Sequence, residues 1–139
     1  MARYRSRVSG PLLDRLDLQV EVPAVPFERL ADEVRGEPTE RVRERVARAR
    51  RVQERRFAEY PGVYANGQMD VALLRRFVRP PAGISRLLQA AVDRGLSARA
   101  YHRVLKVART LADLEGREQV TPDDALEALT YRTLDRRAP

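Results

Sequence analysis

The chain has 139 residues, 43% hydrophobic and 34% charged, enough for one domain with a real core, or for one domain and part of a second. It has no Cys and a single His, His102, which excludes disulfides, thiol catalysis and Cys-ligated zinc and leaves no basis for a His-built metal site or a Ser-His triad. Lys106 is the only lysine, so arginine supplies 26 of the 27 basic residues behind the net charge of +7, and the excess is concentrated in residues 39–79, at +6 against −1 for 1–38 and +2 for 80–139.

Ser9-Gly10-Pro11 reads as a helix start, with Leu12, Leu13 and Leu16 as its apolar side. Residues 17–22 then alternate, with Leu18, Val20 and Val22 on one face, and Pro23 ends the run. That pattern predicts a half-buried strand, the one strand in the chain. A lone strand cannot satisfy its backbone groups, so its sheet is expected outside this sequence or on another chain. A short helix is expected over 27–34, ended by Gly36.

A long helix is expected from Pro38-Thr39 to about Tyr60, with Val42, Val46, Ala49, Val52 and Phe57 toward a core and eight arginines on its other faces. Residues 60–68 read as a loop, 70–77 as a short helix, and 82–94 as an amphipathic helix ended by Gly95. Ser97 caps the next, which runs to about Glu115 and stops at Gly116; its wide apolar face marks the central helix of a bundle. Thr121-Pro122-Asp123-Asp124 opens the last, with a Thr cap, Pro at the first position and acids at the positive end of the dipole. Val104, Leu111, Leu88, Leu126 and Leu129 are expected to share one apolar centre, and residues 135–139 to fray. No apolar run approaches the roughly 20 residues of a membrane span, and no membrane partner is expected.

Enzyme signals are poor. Lys106 lies mid-helix with no Gly-rich turn before it, so no phosphate-cradling P-loop is present. Asp123-Asp124 is better explained by capping than as a catalytic pair, and His102 beside Tyr101 as a packed or solvated side chain. The Arg-rich helix has two readings. Arg48, Arg51 and Arg55 are candidate contacts to DNA phosphates; alternatively the helix is a solvated face, with Glu44 near Arg41 and Arg48 and Glu54 near Arg50.

Two blocks carry a family resemblance. Residues 2–23, from Ala2-Arg3-Tyr4-Arg5 through Leu12-Leu13-Asp14-Arg15-Leu16 to Val20-Glu21-Val22-Pro23, resemble the second half of the AAA+ core in magnesium-chelatase-like ATPases, closest to the ComM (YifB) group of competence proteins. Leu96-Ser97-Ala98-Arg99-Ala100-Tyr101-His102, continuing through Gly116 and then Thr121-Pro122-Asp123-Asp124 to Arg132, resembles the helical lid of the same group. The resemblance implies an all-α helical bundle, the lid, at 27–139, preceded at 1–26 by a helix-strand remnant of the ATPase core.

It further implies that the chain is the C-terminal piece of a cytoplasmic motor that forms a homo-oligomeric ring, a hexamer, uses ATP and Mg²⁺ and acts on DNA by branch migration. The piece alone, without P-loop or Walker B acids, is expected to be inactive and to bind no cofactor tightly. By the same resemblance Arg15 is the arginine finger, reaching a neighbouring subunit's ATP, with Asp14 orienting it and Arg7 a weaker candidate; Arg99 is the sensor-2 arginine. Without the resemblance, Asp14 and Arg15 read as the polar face of a short helix and Arg99 as an ordinary exposed arginine. Two alternatives stand beside it: a metal-chelatase motor subunit working on a protein partner, and a free-standing Arg-rich DNA-binding helical domain.

Overall fold

Helix α4, Ala98–Leu114, is the axis of the domain in a computed structural model that describes residues 12, 15–26, 36–78, 82–93 and 95–132. Four more α-helices surround it: α1, Thr39–Phe57; α2, Val71–Phe77; α3, Ala82–Asp93; and α5, Pro122–Thr130. A 3₁₀ turn, Asn66–Gln68, lies between α1 and α2. Each of these elements packs against α4. Among the described residues the fold is all-α, a small helical bundle, as the periodicity predicts.

The helices start and stop where the side chains dictate. Asp70 accepts the Leu73 N–H at 2.8 Å and Ser97 the Ala100 N–H at 3.1 Å. At α5 the cap is reciprocal: Thr121 Oγ1 accepts the Asp124 N–H, and Asp124 accepts the Thr121 N–H at 2.8 Å. At the end of α4 Gly116 adopts φ +69°, letting the Arg117 N–H reach back to the Ala112 carbonyl at 2.8 Å. Gly95 does the same for α3, with Leu96 bonded to Ala91. Both are left-handed terminations that a side chain would strain.

The core joins Phe57, Leu74, Val78, Ile84 and Leu88 to Val104, Leu105, Ala108 and Ala112 of α4 and to Ala125 and Ala128 of α5. Leu111 and Leu129 pack at its margin, whereas Leu126 faces solvent, one helical step from the buried pair Ala125 and Ala128. Helix α1 also departs from expectation. Ala49, Gln53 and Phe57 are buried, but Val42 and Val46 are exposed, because only the C-terminal half of α1 meets the body of the domain. The N-terminal half overhangs.

The predicted strand is corrected. Residues 18–26 form neither helix nor strand, and Val22 is 80% exposed. A strand exists only with a partner, and no ladder partner occurs among the described residues. The segment is instead pinned at its start: Gln19 N–H donates to the Tyr131 carbonyl at 2.9 Å, Arg132 donates to the Leu16 carbonyl, and Arg103 pairs with Asp17. The helix start at 9–11, Arg7, Asp14, the helix expected over 27–34 and the fraying end at 135–139 lie outside the described residues.

Candidate functional site

Arg15 donates its backbone N–H to the Leu12 carbonyl at 3.0 Å, and its side chain is exposed. Arg99 is the second residue of α4, exposed, just after the Ser97 cap. Neither guanidinium makes a hydrogen bond or ion pair among the described residues. A cation in the first turn of a helix gains nothing from the dipole, so no local interaction accounts for arginine at Arg99. No contact joins the two, and Asp14 lies outside the described residues.

On α1 the solvated-face reading required glutamate partners. Among the described residues the ion pair of this helix's exposed face is Arg45 with Glu37, bidentate at 2.7 and 2.8 Å. Arg41, Arg48, Arg51 and Arg55 pair neither with Glu44 nor with Glu54, and all four are exposed. Successive spacings of seven, three and four place Arg48, Arg51 and Arg55 on one stripe with Arg41. The expected arginine trio therefore shares a face, unneutralised.

The sequence reading missed the polar centre. Asp113 is fully buried and receives two hydrogen bonds from Arg56, at 2.7 and 2.5 Å, one from Asn66 Nδ2 at 2.7 Å and one from Arg109 Nε at 3.1 Å. Burial alone would raise the carboxyl's pKa; the bonds from Arg56 and Asn66 and the charges of both arginines outweigh it and hold the group below the usual aspartate value. Burial pushes the Arg109 pKa down, with Asp113 opposing. Arg109 spends its other donors on the carbonyls of Glu118 and Arg117, at 2.6 and 2.5 Å, and so braces the loop between α4 and α5. The signal was available: Arg109 and Asp113 are four apart and directly follow Ala108 and Ala112 on the buried side of α4.

Above this centre opens a cleft of about 830 Å³, lined by Arg56, Arg76, Arg109 and Arg117 with Val52 and Phe77 among its apolar walls. Arg76 lies over Tyr60 and Phe77, with its guanidinium carbon 5.6 and 5.7 Å from the ring centroids. Asp124 serves the α5 cap and also pairs with Arg117, in keeping with a capping role for the Asp123-Asp124 run. His102 is half-buried with its ring 5.6 Å from Tyr101.

The described residues thus form a five-helix bundle preceded by a segment, residues 18–26, that is neither helix nor strand. The family model described as magnesium chelatase, subunit ChlI C-terminal, matches residues 36–132, and the model for magnesium chelatase, subunit ChlI, matches residues 1–30. The chain belongs to the magnesium chelatase ChlI C-terminal family. It is 40% identical over 136 residues to the competence protein ComM of Haemophilus influenzae, covering 96% of this chain and 26% of that protein. It is 38% identical over 136 residues to the uncharacterized protein YifB of Escherichia coli K12, with the same 96% and 26% coverage. An uncharacterized Mycobacterium tuberculosis protein is 40% identical over 131 residues, 94% of this chain and 26% of its own length. The chain thus spans about a quarter of the length of the curated relatives it matches. No helix among the described residues is long and apolar enough to cross a membrane.

Proposed function

We propose that the chain is the C-terminal lid, residues 27–139, with the last part of the ATPase core, residues 1–26, of a ring-forming AAA+ motor that couples ATP binding and hydrolysis to work on DNA. The observation that carries the reading is the pair of family matches following one another along the chain, 1–30 and 36–132, with an apolar alternation in the first segment that has no sheet to enter among the described residues. The relative named a competence protein supports a task in competence; the proposed work is branch migration of DNA during uptake of transforming DNA.

Arg15 is the finger that reaches a neighbouring subunit's nucleotide, with Asp14 orienting it, and Arg99 is the sensor that couples the nucleotide to the lid. Exposed guanidiniums without counter-ions suit phosphate oxygens. ATP and Mg²⁺ would be held by the remainder of a protein of the relatives' length, where the ion and nucleotide supply phosphoryl-transfer chemistry. The free arginines of α1 support contact with DNA. A second reading, a chelatase motor working on a protein partner in the cytoplasm, rests on the family description itself. The test is the full-length protein: salt-sensitive DNA binding with DNA-stimulated ATPase activity is expected, and ATP turnover indifferent to DNA would favour the chelatase reading.

A further inference from the structure

The cleft over Asp113 holds one guanidinium that no carboxylate among the described residues engages. Four arginines line it, against Asp113 and Glu118. Asp113 is shared by Arg56 and Arg109, and Asp124, outside the lining, takes one donor of Arg117. Arg117 also lies 4.0 Å from Glu115, so the carboxylates in and around the cleft equal the arginines in number, but they engage only Arg56, Arg109 and Arg117. Arg76 is the guanidinium without a hydrogen bond or ion pair; it lies over Tyr60 and Phe77, and its donors are free.

Helix α1 leads into the same place. Val52 and Arg56 line the cleft, and on a 3.6-residue helix they neighbour the stripe of Arg41, Arg48 and Arg55. These three are exposed and unpaired among the described residues, and they span 14 residues, or roughly 21 Å at the helical rise. The track therefore offers guanidiniums at intervals along a line and ends in a concave pocket. A duplex holds its phosphates on a stiff convex cylinder, whereas a flexible single strand can follow a curved track and turn a phosphate into a recess. An acidic peptide needs no linear array ending in one free guanidinium.

We propose that this cleft is a phosphate-binding subsite for a single-stranded nucleic acid, with Arg76 as its principal ligand, and that the Arg41–Arg48–Arg55 stripe guides the strand into it. The inference rests on the reading of DNA as the substrate and adds the path across this domain.

The test uses the full 139-residue chain and a fluorescent oligothymidylate of about 15 nucleotides, with affinity measured across a range of salt concentrations. Arg76→Gln is expected to weaken binding and to lower the slope of log K against log salt by about 0.7, the share of one phosphate contact on a single strand. Arg86→Gln, an equal charge loss on the exposed side of α3 outside the cleft, is expected to leave the slope unchanged. Arg76→Lys should restore part of the affinity, and melting curves confirm that all three variants are folded. Binding that survives equally in Arg76→Gln and Arg86→Gln overturns the cleft and leaves the stripe on α1 as the DNA contact. No salt-sensitive binding at all overturns DNA as this domain's ligand, and the cleft proposal with it. A duplex or a polyglutamate peptide that displaces the oligonucleotide at equal charge concentration overturns the single-strand assignment.

Discussion

Arg56 and Asp113 lie 57 positions apart and are joined by two parallel hydrogen bonds of 2.7 and 2.5 Å. The pair fastens the C-terminal half of α1 to the central helix α4, and Asn66, bonded to the same carboxylate, fastens the 3₁₀ turn beside it. With one end held this firmly, the other half of α1 can stand clear of the domain and present its arginines to a partner. Fixing α1 thus links the polar centre of the fold to its most basic surface.

Removing Asp113 should be severe. Asp113→Ala leaves Arg56, 12% exposed, and Arg109, 2% exposed, facing each other without a counter-ion. Breaking a buried pair in this way typically costs about 3–5 kcal/mol. A large fall in denaturation midpoint is expected, and an unchanged midpoint would mean that the carboxylate is a bystander. Arg45→Gln is the contrast: its bond to Glu37 is half-exposed, and exposed pairs contribute about 0–1 kcal/mol.

The same carboxylate sets an acid limit. Its folded pKa lies below the ordinary aspartate value of 3.8, so the unfolded chain takes up protons first as pH falls. The stabilisation is therefore fully present above the ordinary value and is lost as pH drops below it toward the folded value. Unfolding midpoints followed from neutral pH to pH 2 should show a steep loss in that window. An Asp113→Asn chain that still folds should show a shallower one.

The caps are a smaller and cleaner test. Thr121→Ala removes the acceptor for the Asp124 N–H and one partner of the Asp124 carboxylate. About 1 kcal/mol of destabilisation is expected, read as a shift in urea midpoint at constant m-value. Because Asp124 also pairs with Arg117, the Thr121→Ala and Arg117→Gln effects should not add.

What could be read from the sequence follows a physical division. Helix ends written in local chemistry were legible: Asp70, Ser97, Gly95, Gly116 and Thr121 all act where their residue types say they should. The apolar period also identified α4 as central. Its limit was tertiary. Val42 and Val46 keep the period of a buried face, but nothing within α1 says how far the partner helix extends, and they ended exposed. Leu126 failed for the same reason. Buried polar groups were harder to read: the spacing of Arg109 and Asp113 was one signal, but with Gln53 they look like surface residues until partners 8 to 57 positions away converge on them. Of the candidate site, the exposed positions of Arg15, Arg99 and the α1 arginines could be anticipated, whereas Arg76 and its cleft could not, since they are assembled from three separate elements.

Charge on α1 should act without regard to base sequence. Replacing Arg48, Arg51 and Arg55 with Gln removes three unpaired guanidiniums from one stripe. For a domain that binds phosphates, affinity for oligonucleotides of unrelated sequence should fall together and the salt dependence should flatten, by about 0.7 for each single-strand phosphate that is no longer neutralised. Thermal stability should hardly move, since surface substitutions of this kind usually fall within about 0.5 kcal/mol. Equal DNA affinity before and after the change would make the arginine stripe of α1 a solvated face after all.

On the proposed reading, the two remaining arginines separate by the stage at which each would meet the nucleotide. A finger at Arg15 acts as charge builds on the departing phosphoryl group, and fingers of this type are worth roughly 10³–10⁵ in rate. In a full-length protein, Arg15→Ala should therefore leave ATP binding nearly intact and remove most turnover. Because the finger works across a subunit boundary, activity should return in mixed rings when Arg15→Ala subunits, which still bind ATP, are combined with subunits that keep Arg15 but have lost their own phosphate-binding lysine. Arg99→Ala should instead disturb the coupling between nucleotide state and lid, so that turnover or DNA work falls without the trans rescue. In the 139-residue chain neither change should lower the melting temperature, because both side chains are exposed and bond to nothing among the described residues. Marked destabilisation by either change, or full turnover without Arg15, would return these residues to a purely structural role.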